Sequence, residues 1–348
     1  MIEFATKAGW SVVVRRIAEA LASNLRWLWI AFIPIAVGMW FSDTTGLYEW
    51  AMSSAAHDEV LVKKAAFLNK GFWLARSALY FLIWAWLANF YLRTSSAQDA
   101  TGSPELTLRM QGRSYVGILL VGLSLTFASI DWIMSLEPRW FSTIFGVYFF
   151  AGAFCGFFAA MIVILKLLQR SGRLTHTITR EHYQDLGKLL FAFGIVFWAY
   201  IAYSQFMLIW YASLPEETTF YLIRMLGEWR VIGLLLIFGH FFGPFLAILS
   251  RHAKRNEQWL LVAAVWMLFM QFIDVYWLVM PHVPVQAIAE ARNYPELQEQ
   301  FKDLSVGFTL VHPVTLAAMV ALLVAGTAFA LRNRSLIPER DPRLRESL

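Results

Sequence analysis

The stretch FASIDWIMSLEPRWFSTIFG, Phe127 to Gly146, sets an aspartate near the end of an apolar run and follows it with Pro138 and Arg139. Asp131 is the one charged residue between Tyr115 and Leu136, a run long enough to cross a bilayer, which takes about 20 mostly apolar residues. A charge deep in hydrocarbon costs roughly 2.5–3.5 kcal/mol even on lenient scales. Such a residue needs either a partner or a function.

Working outward, seven more segments read the same way: Leu25–Phe41, Phe72–Leu92, Ile144–Leu168, Leu189–Tyr211, Trp229–Leu249, Gln258–Val279 and Val306–Leu331. Of 348 residues 59% are hydrophobic and 15% charged, and the mean hydropathy is +0.54. A soluble domain carries about 25% charged residues. Sixteen Trp and 29 Phe suit interfacial anchoring of helix ends. The fold class expected is an all-α polytopic membrane protein of about eight transmembrane helices, a single integral-membrane domain over 1–348. The first span is short and contains Pro34, and an amphipathic stretch with Arg15 and Arg16 precedes it. No cleavable signal peptide is read there.

Connections alternate in charge. With span-end residues counted in the nearest connection, the N-terminal segment, the even loops and the tail hold 20 of the 29 Lys and Arg, and the odd loops hold nine. Positive residues favour the cytoplasmic side, so both termini are expected there. The longest connections, Ser42–Gly71 and Met280–Ser305, then face outward. The second contains EARNYPELQEQFKD, an expected short surface helix and a docking surface for an extracytoplasmic partner.

Span seven repeats the opening motif: Ile273-Asp274 with Pro281 at the same offset that separates Asp131 from Pro138. Both aspartates fall sixteen residues into outward-running spans, about 24 Å from the cytoplasmic end at about 1.5 Å per residue. Spans three and seven are four apart, as two duplicated four-helix units of like orientation would place them. The units are 1–168 and 186–331, with 332–348 as a cytoplasmic tail. Arg76, Glu228, Arg230 and His312 open their spans in the same outer third, and His240 lies near the midplane within GHFFGPF. Arg76 or Arg230 could pair with either aspartate; a buried carboxyl without a cation favours its neutral form. Each residue also has a structural reading: the acids as caps or ion pairs, the arginines snorkelling to headgroups, His240 as an interhelical hydrogen-bonder. The Gly152/Gly156 and Gly239/Gly243 pairs read as close helix contacts, and Pro244 as a kink below His240.

Much chemistry is excluded. His240 is the only histidine deep in a span, with His57, His176, His182, His252 and His282 assigned to loops, so paired axial ligands for haem are lacking. One cysteine, Cys155, supports no intrachain disulfide and no cysteine-ligated metal or iron–sulfur cluster. No phosphate-binding glycine loop, catalytic triad or nucleic-acid patch is found. The chain alone carries no complete redox centre and no catalytic or metal-binding set.

Four segments together carry a resemblance: Phe127–Gly152, Ser204–Thr218 (SQFMLIWYASLPEET), Gly9–Leu21 (GWSVVVRRIAEAL) and Leu336–Leu348 (LIPERDPRLRESL). The whole chain resembles the second large membrane subunit of alternative complex III, the bacterial quinol:cytochrome c (or other acceptor) oxidoreductase, within the NrfD-like, polysulfide-reductase-type membrane proteins. The resemblance implies two four-helix bundles in the bacterial inner membrane. It implies partners: a sister NrfD-like subunit, an extracytoplasmic iron–sulfur subunit, and multihaem and monohaem cytochromes c. Haem c and iron–sulfur clusters would sit on those partners, and quinone or quinol would be the diffusible carrier. In this family the sister subunit is thought to hold the better supported quinol site, and the present one is suspected of carrying a proton path. Family members usually have about two further spans ahead of the segment matching Gly9–Val13, a departure that bears on the first bundle.

Carried over by position, the family's acids fall on Asp131 and Asp274, and its span-five Gln and Tyr on Gln205 and Tyr211. The proton-transfer candidates are thus Asp131, Asp274, His240, Gln205 and Tyr211. Arg76, Glu228, Arg230 and His312 are candidates for a quinone site or ion pairs. The function expected is a non-haem membrane subunit of a quinol-oxidising complex that supports quinone binding or proton transfer across the outer half of the membrane. The alternatives are a proton- or cation-coupled secondary transporter and a purely structural scaffold.

Overall fold

The computed structural model describes residues 1–283 and 294–348, with backbone alone for Thr44 and Thr45. Its regular structure is entirely helical among those residues. Eight helices are long and apolar enough to cross a membrane: α1 (Val12–Trp40), α2 (Lys70–Thr101), α3 (Pro104–Leu136), α4 (Phe145–Arg170), α5 (Arg180–Ala212), α6 (Trp229–Ile248), α7 (Glu257–Val279) and α8 (Val311–Leu331). The number agrees with hydropathy. Several ends do not, because helices run past the hydrocarbon. α2 extends from its expected end at Leu92 to Thr101, where Gly102 at φ 70° closes it, and Pro104 in the first turn opens α3. α5 starts at Arg180, which moves His182 from a loop into a capping box with Thr179. His252 likewise lies in a helical turn, Arg251–Arg255.

The amphipathic stretch before the first span is continuous with it. A helix over Val12–Ala22 passes through a 3-10 turn, Ser23–Arg26, into the apolar helix Leu28–Trp40. The charged part of α1 is buried, and ion pairs neutralise it. Arg15 reaches Glu3 at 3.1 Å, Glu19 at 3.3 Å and Asp341 at 2.6 Å, and Arg16 reaches Asp99 at 2.7 Å. Residues 332–348 therefore do not form a free tail. The Ser347 hydroxyl donates to the Trp10 carbonyl at 2.6 Å, and the Ser347 carbonyl meets His182 Nε2 at 2.9 Å. The two termini meet at one end of the bundle.

The central packing joins α4 to α5 and α7 around Cys155, Ile162, Leu165, Leu190, Leu260 and Met267, all fully buried. A methyl on Gly194 would stand 2.9 Å from the Cys155 Cα, so glycine sets the α4–α5 distance. α2 pairs with α3. α8 is the outlier: only Thr327 and Ala330 of it are buried.

Two spans change their winding. α5 holds a π-helical segment at Leu190–Phe197, and α6 holds one at Leu236–Phe242. Pro244 has no N–H for the carbonyl of His240, four residues back, so the ladder cannot continue as an α-helix. The expected kink is realised as π-helix around His240. Such segments recur at functional sites.

At the end remote from the termini, Arg139 of the opening stretch clamps the connection between α1 and α2. Its Nη1 and Nη2 donate to Glu49 at 2.7 Å each, and its Nε donates to Asp58 at 3.0 Å. The expected helix in the connection before α8 is Tyr294–Gln300; the 290–293 part of that motif lies outside the described residues. Gly227, at φ 49°, packs so closely that a Cβ would meet the Leu304 carbonyl oxygen at 2.3 Å. Gly227→Ala is expected to cost at least about 1–3 kcal/mol from backbone strain alone, read as a lower unfolding temperature in detergent. An unchanged temperature would show that this junction gives way freely.

Candidate functional site: two enclosed acids

Asp131 is wholly buried, and its carboxylate is matched by α2. Arg76 donates from Nε to Oδ2 at 2.8 Å and from Nη2 to Oδ1 at 2.7 Å, and the Tyr80 hydroxyl donates to Oδ2 at 2.7 Å. Trp73, Arg76 and Tyr80 recur at helical spacing, which turns all three toward α3. Trp73 Nε1 donates to the Asp131 carbonyl at 2.8 Å. The guanidinium lies between the rings of Phe67 and Phe72, 3.9 and 4.1 Å from their centroids. This is a charge-assisted, two-pronged pair, the strongest kind of side-chain hydrogen bonding.

Asp274 is 1% exposed and held differently. The Tyr148 hydroxyl of α4 donates to Oδ1 at 2.5 Å, and Trp198 Nε1 of α5 donates to Oδ2 at 3.1 Å. Among the described residues no cation forms an ion pair with it. His240 lies behind Trp198, ring centroids 3.8 Å apart. It is fully buried, and neither ring nitrogen makes a hydrogen bond of full geometry, Gln271 being the polar side chain within reach. Gln271, one turn before Asp274, presses its amide on Gly152, where a Cβ would meet Nε2 at 2.7 Å. Its Oε1 is also unpartnered. The small residue at Gly152 thus makes room for a polar side chain as well as for a close helix contact.

A polar band continues toward the end remote from the termini. The Ser142 hydroxyl donates to Gln205 Oε1 at 3.1 Å, and Gln205 Nε2 donates to the Tyr221 hydroxyl at 3.1 Å. Arg224, 2% exposed, donates to three carbonyls, of Trp277, Phe220 and Leu278, at 2.9–3.0 Å. Burial pulls its guanidinium below the ordinary value, while Glu137, Tyr221 and Tyr148 oppose that shift. Glu137 faces His282, 4.0 Å away. Burial raises its carboxyl above 4.5, against the pull of Arg224 and His282. A carboxyl raised on folding stabilises below its unfolded value and loses that contribution as pH climbs through the folded one. Glu137→Gln is thus expected to unfold at a higher temperature than the parent at neutral pH and to match it below about pH 4.5. A variant less heat-resistant at neutral pH would mean that the Arg224 and His282 attractions win.

Of the candidates read from sequence, Arg76 joins Asp131, while His240 and Gln205 lie in the band around Asp274. The others stand apart. Tyr211 is 86% exposed and Arg230 is exposed. Glu228 accepts from the Val306 amide at 2.8 Å, and His312 packs on Tyr276 and Phe308. None of these four bonds to either aspartate. Sequence reasoning missed Tyr148, Trp198, Gln271, Tyr221, Arg224 and Glu137. Only Gln271, one helical turn before an aspartate in an apolar run, offered a signal.

No family model matches the chain, and no characterised protein matches it either. The fold and the site define a class on their own: a multi-pass helical membrane protein with two enclosed acids, one ion-paired and one without a counter-charge.

Proposed function

We propose that the chain is the non-haem, proton-handling membrane subunit of a bacterial quinol-oxidising complex, and that Asp274 is its proton-exchanging acid. The observation that supports this most is the enclosure of Asp274 by neutral donors beside a buried imidazole. Among the described residues no fixed cation pairs with the carboxyl, so it can take or give a proton without breaking an ion pair. His240 and Gln271 supply hydrogen-bonding capacity on one side. Tyr148, Tyr221, Gln205 and Glu137 supply it toward the outer end, where quinol oxidation would release protons. Electrons would travel on partner haems and clusters, as the resemblance implies, and the two-bundle arrangement with cytoplasmic termini belongs to the same proposal. Asp131 is assigned to holding α2 on α3.

The test is purification of the chain in mild detergent with its partners, their haem and iron content determined, and quinol-dependent turnover compared for parent and Asp274→Asn. Co-purification with normal turnover in the variant would remove Asp274 from the mechanism. A second reading, a proton-coupled transporter, draws support from the π-helical segments in α5 and α6, which recur at functional sites. Proton-driven flux into vesicles containing this chain alone would favour it.

A further inference from the structure

We infer that Asp274 exchanges protons with one face of the membrane alone, the face remote from the termini, because the opposite half of the α4–α7 bundle is a dry apolar plug. The inference rests on the proton-handling reading of Asp274 and adds a direction to it: the chain delivers protons to one side and carries none across.

Four spans build the plug. From the level of Asp274 toward the termini, α4 runs through 149–165, α5 through 189–197, α6 through 241–249 and α7 through 259–270 without a charged, hydroxyl or amide side chain. The shortest of these stretches are nine residues, on the order of 12 Å of helix. The side-chain N–H and S–H groups within them are few. The Cys155 thiol is fully buried, and the Trp259 and Trp266 indoles donate to the Ala247 and Gly239 carbonyls at 2.8 and 2.7 Å. Cys155, Ile162, Leu190, Ile195, Leu260 and Met267 fill the interior with no exposure. Packing is tight where the helices meet. A Cβ on Gly194 would stand 2.9 Å from the Cys155 Cα, and one on Gly239 would stand 3.0 Å from the Met270 sulfur. A buried water needs polar partners, and apolar cavities stay dry. A proton passed from group to group finds no next carrier here.

Toward the remote end the surroundings are polar and reach solvent. Tyr148 holds Asp274, and Gln205 joins the half-buried Ser142 to Tyr221. Glu137 and His282 follow, their side chains 21% and 72% exposed. His240 and Gln271 are the blind inner end of this polar region. Beyond them the next polar side chains toward the termini are Lys166, Lys188, Ser250 and Gln258, which bound the four apolar stretches.

The test is hydroxyl-radical footprinting of the full chain in lipid nanodiscs, where radicals made from water oxidise the side chains that internal water reaches. Sulfur side chains oxidise readily once reached, so Cys155 and Met267 report on the plug. Tyr221 is expected to be oxidised several-fold faster than either, with Met280, exposed at the remote end of α7, as the reacting reference. Oxidation of Cys155 or Met267 at the Met280 rate would show a wet plug and overturn the inference, as would Tyr148 and Tyr221 both spared. A second measurement imposes a potassium diffusion potential on vesicles holding the chain and follows internal pH. Proton entry no faster than in protein-free vesicles is expected. Flux that disappears in Asp274→Asn would overturn the one-sided path while leaving the acid in its role. Unchanged quinol-dependent turnover of the complex carrying Asp274→Asn would overturn the underlying reading instead, and a plug still free of oxidation tells that failure apart.

Discussion

Asp131→Ala and Arg76→Ala are each expected to destabilise the protein by about 3–5 kcal/mol, because each leaves the other's charge buried and unpaired. Arg76 would lose both carboxylate oxygens while remaining between two aromatic rings. Asp131 would keep only Tyr80. Removing both charges together, as Arg76→Met/Asp131→Leu, is expected to cost much less than the sum, since the desolvation penalty leaves with the pair. Reversible unfolding in mixed micelles reads all three. Additive losses would mean the pair does not act as a unit. Asp131→Asn is the functional control, and its turnover per folded molecule should stay near the parental value. A tenfold loss there would make Asp131 a proton carrier after all.

Asp274→Asn should behave in the opposite way, with modest loss of stability and large loss of rate. The amide keeps an oxygen for the Tyr148 hydroxyl and loses the acceptor for Trp198, about 1 kcal/mol for one hydrogen bond. It cannot exchange a proton, and positioned acid–base groups contribute roughly 10²–10⁴-fold in rate. Quinol-dependent turnover of the assembled complex is therefore expected to fall at least a hundredfold, by the lower end of that range. Tyr148→Phe, which removes a neighbour and spares the acid, should cost far less. If Tyr148→Phe and Asp274→Asn lost rate equally, the hydrogen-bonded unit rather than the carboxyl would be the working part.

The eight spans were legible because crossing a bilayer fixes length and apolarity together, and both are written along the chain. Depth was legible too: Asp131 and Asp274 stand out for lying inside such runs. Their partners were not. Arg76 and Arg230 both lie near the start of a span, yet one binds an aspartate and the other is exposed, which depends on helix rotation and neighbour choice. Hydropathy is blind to both. Tyr148 and Trp198 look like any aromatic in a lipid-facing run until the fold sets them around a carboxyl. The matched motifs at Asp131 and Asp274 suggested like surroundings, but one acid draws on α2 and the other on α4 and α5. The pairing of Asp341 with Arg15 was equally hidden, because 326 residues separate the two along the chain.

That counter-ion has a bearing on biogenesis. Arg15 leaves the ribosome 326 residues ahead of Asp341, so its helix must wait while the intervening spans are made for the last of its acidic partners. Until then a cationic segment faces lipid or a helper factor. Release of nascent chains stalled just before Asp341 should leave that helix open to protease.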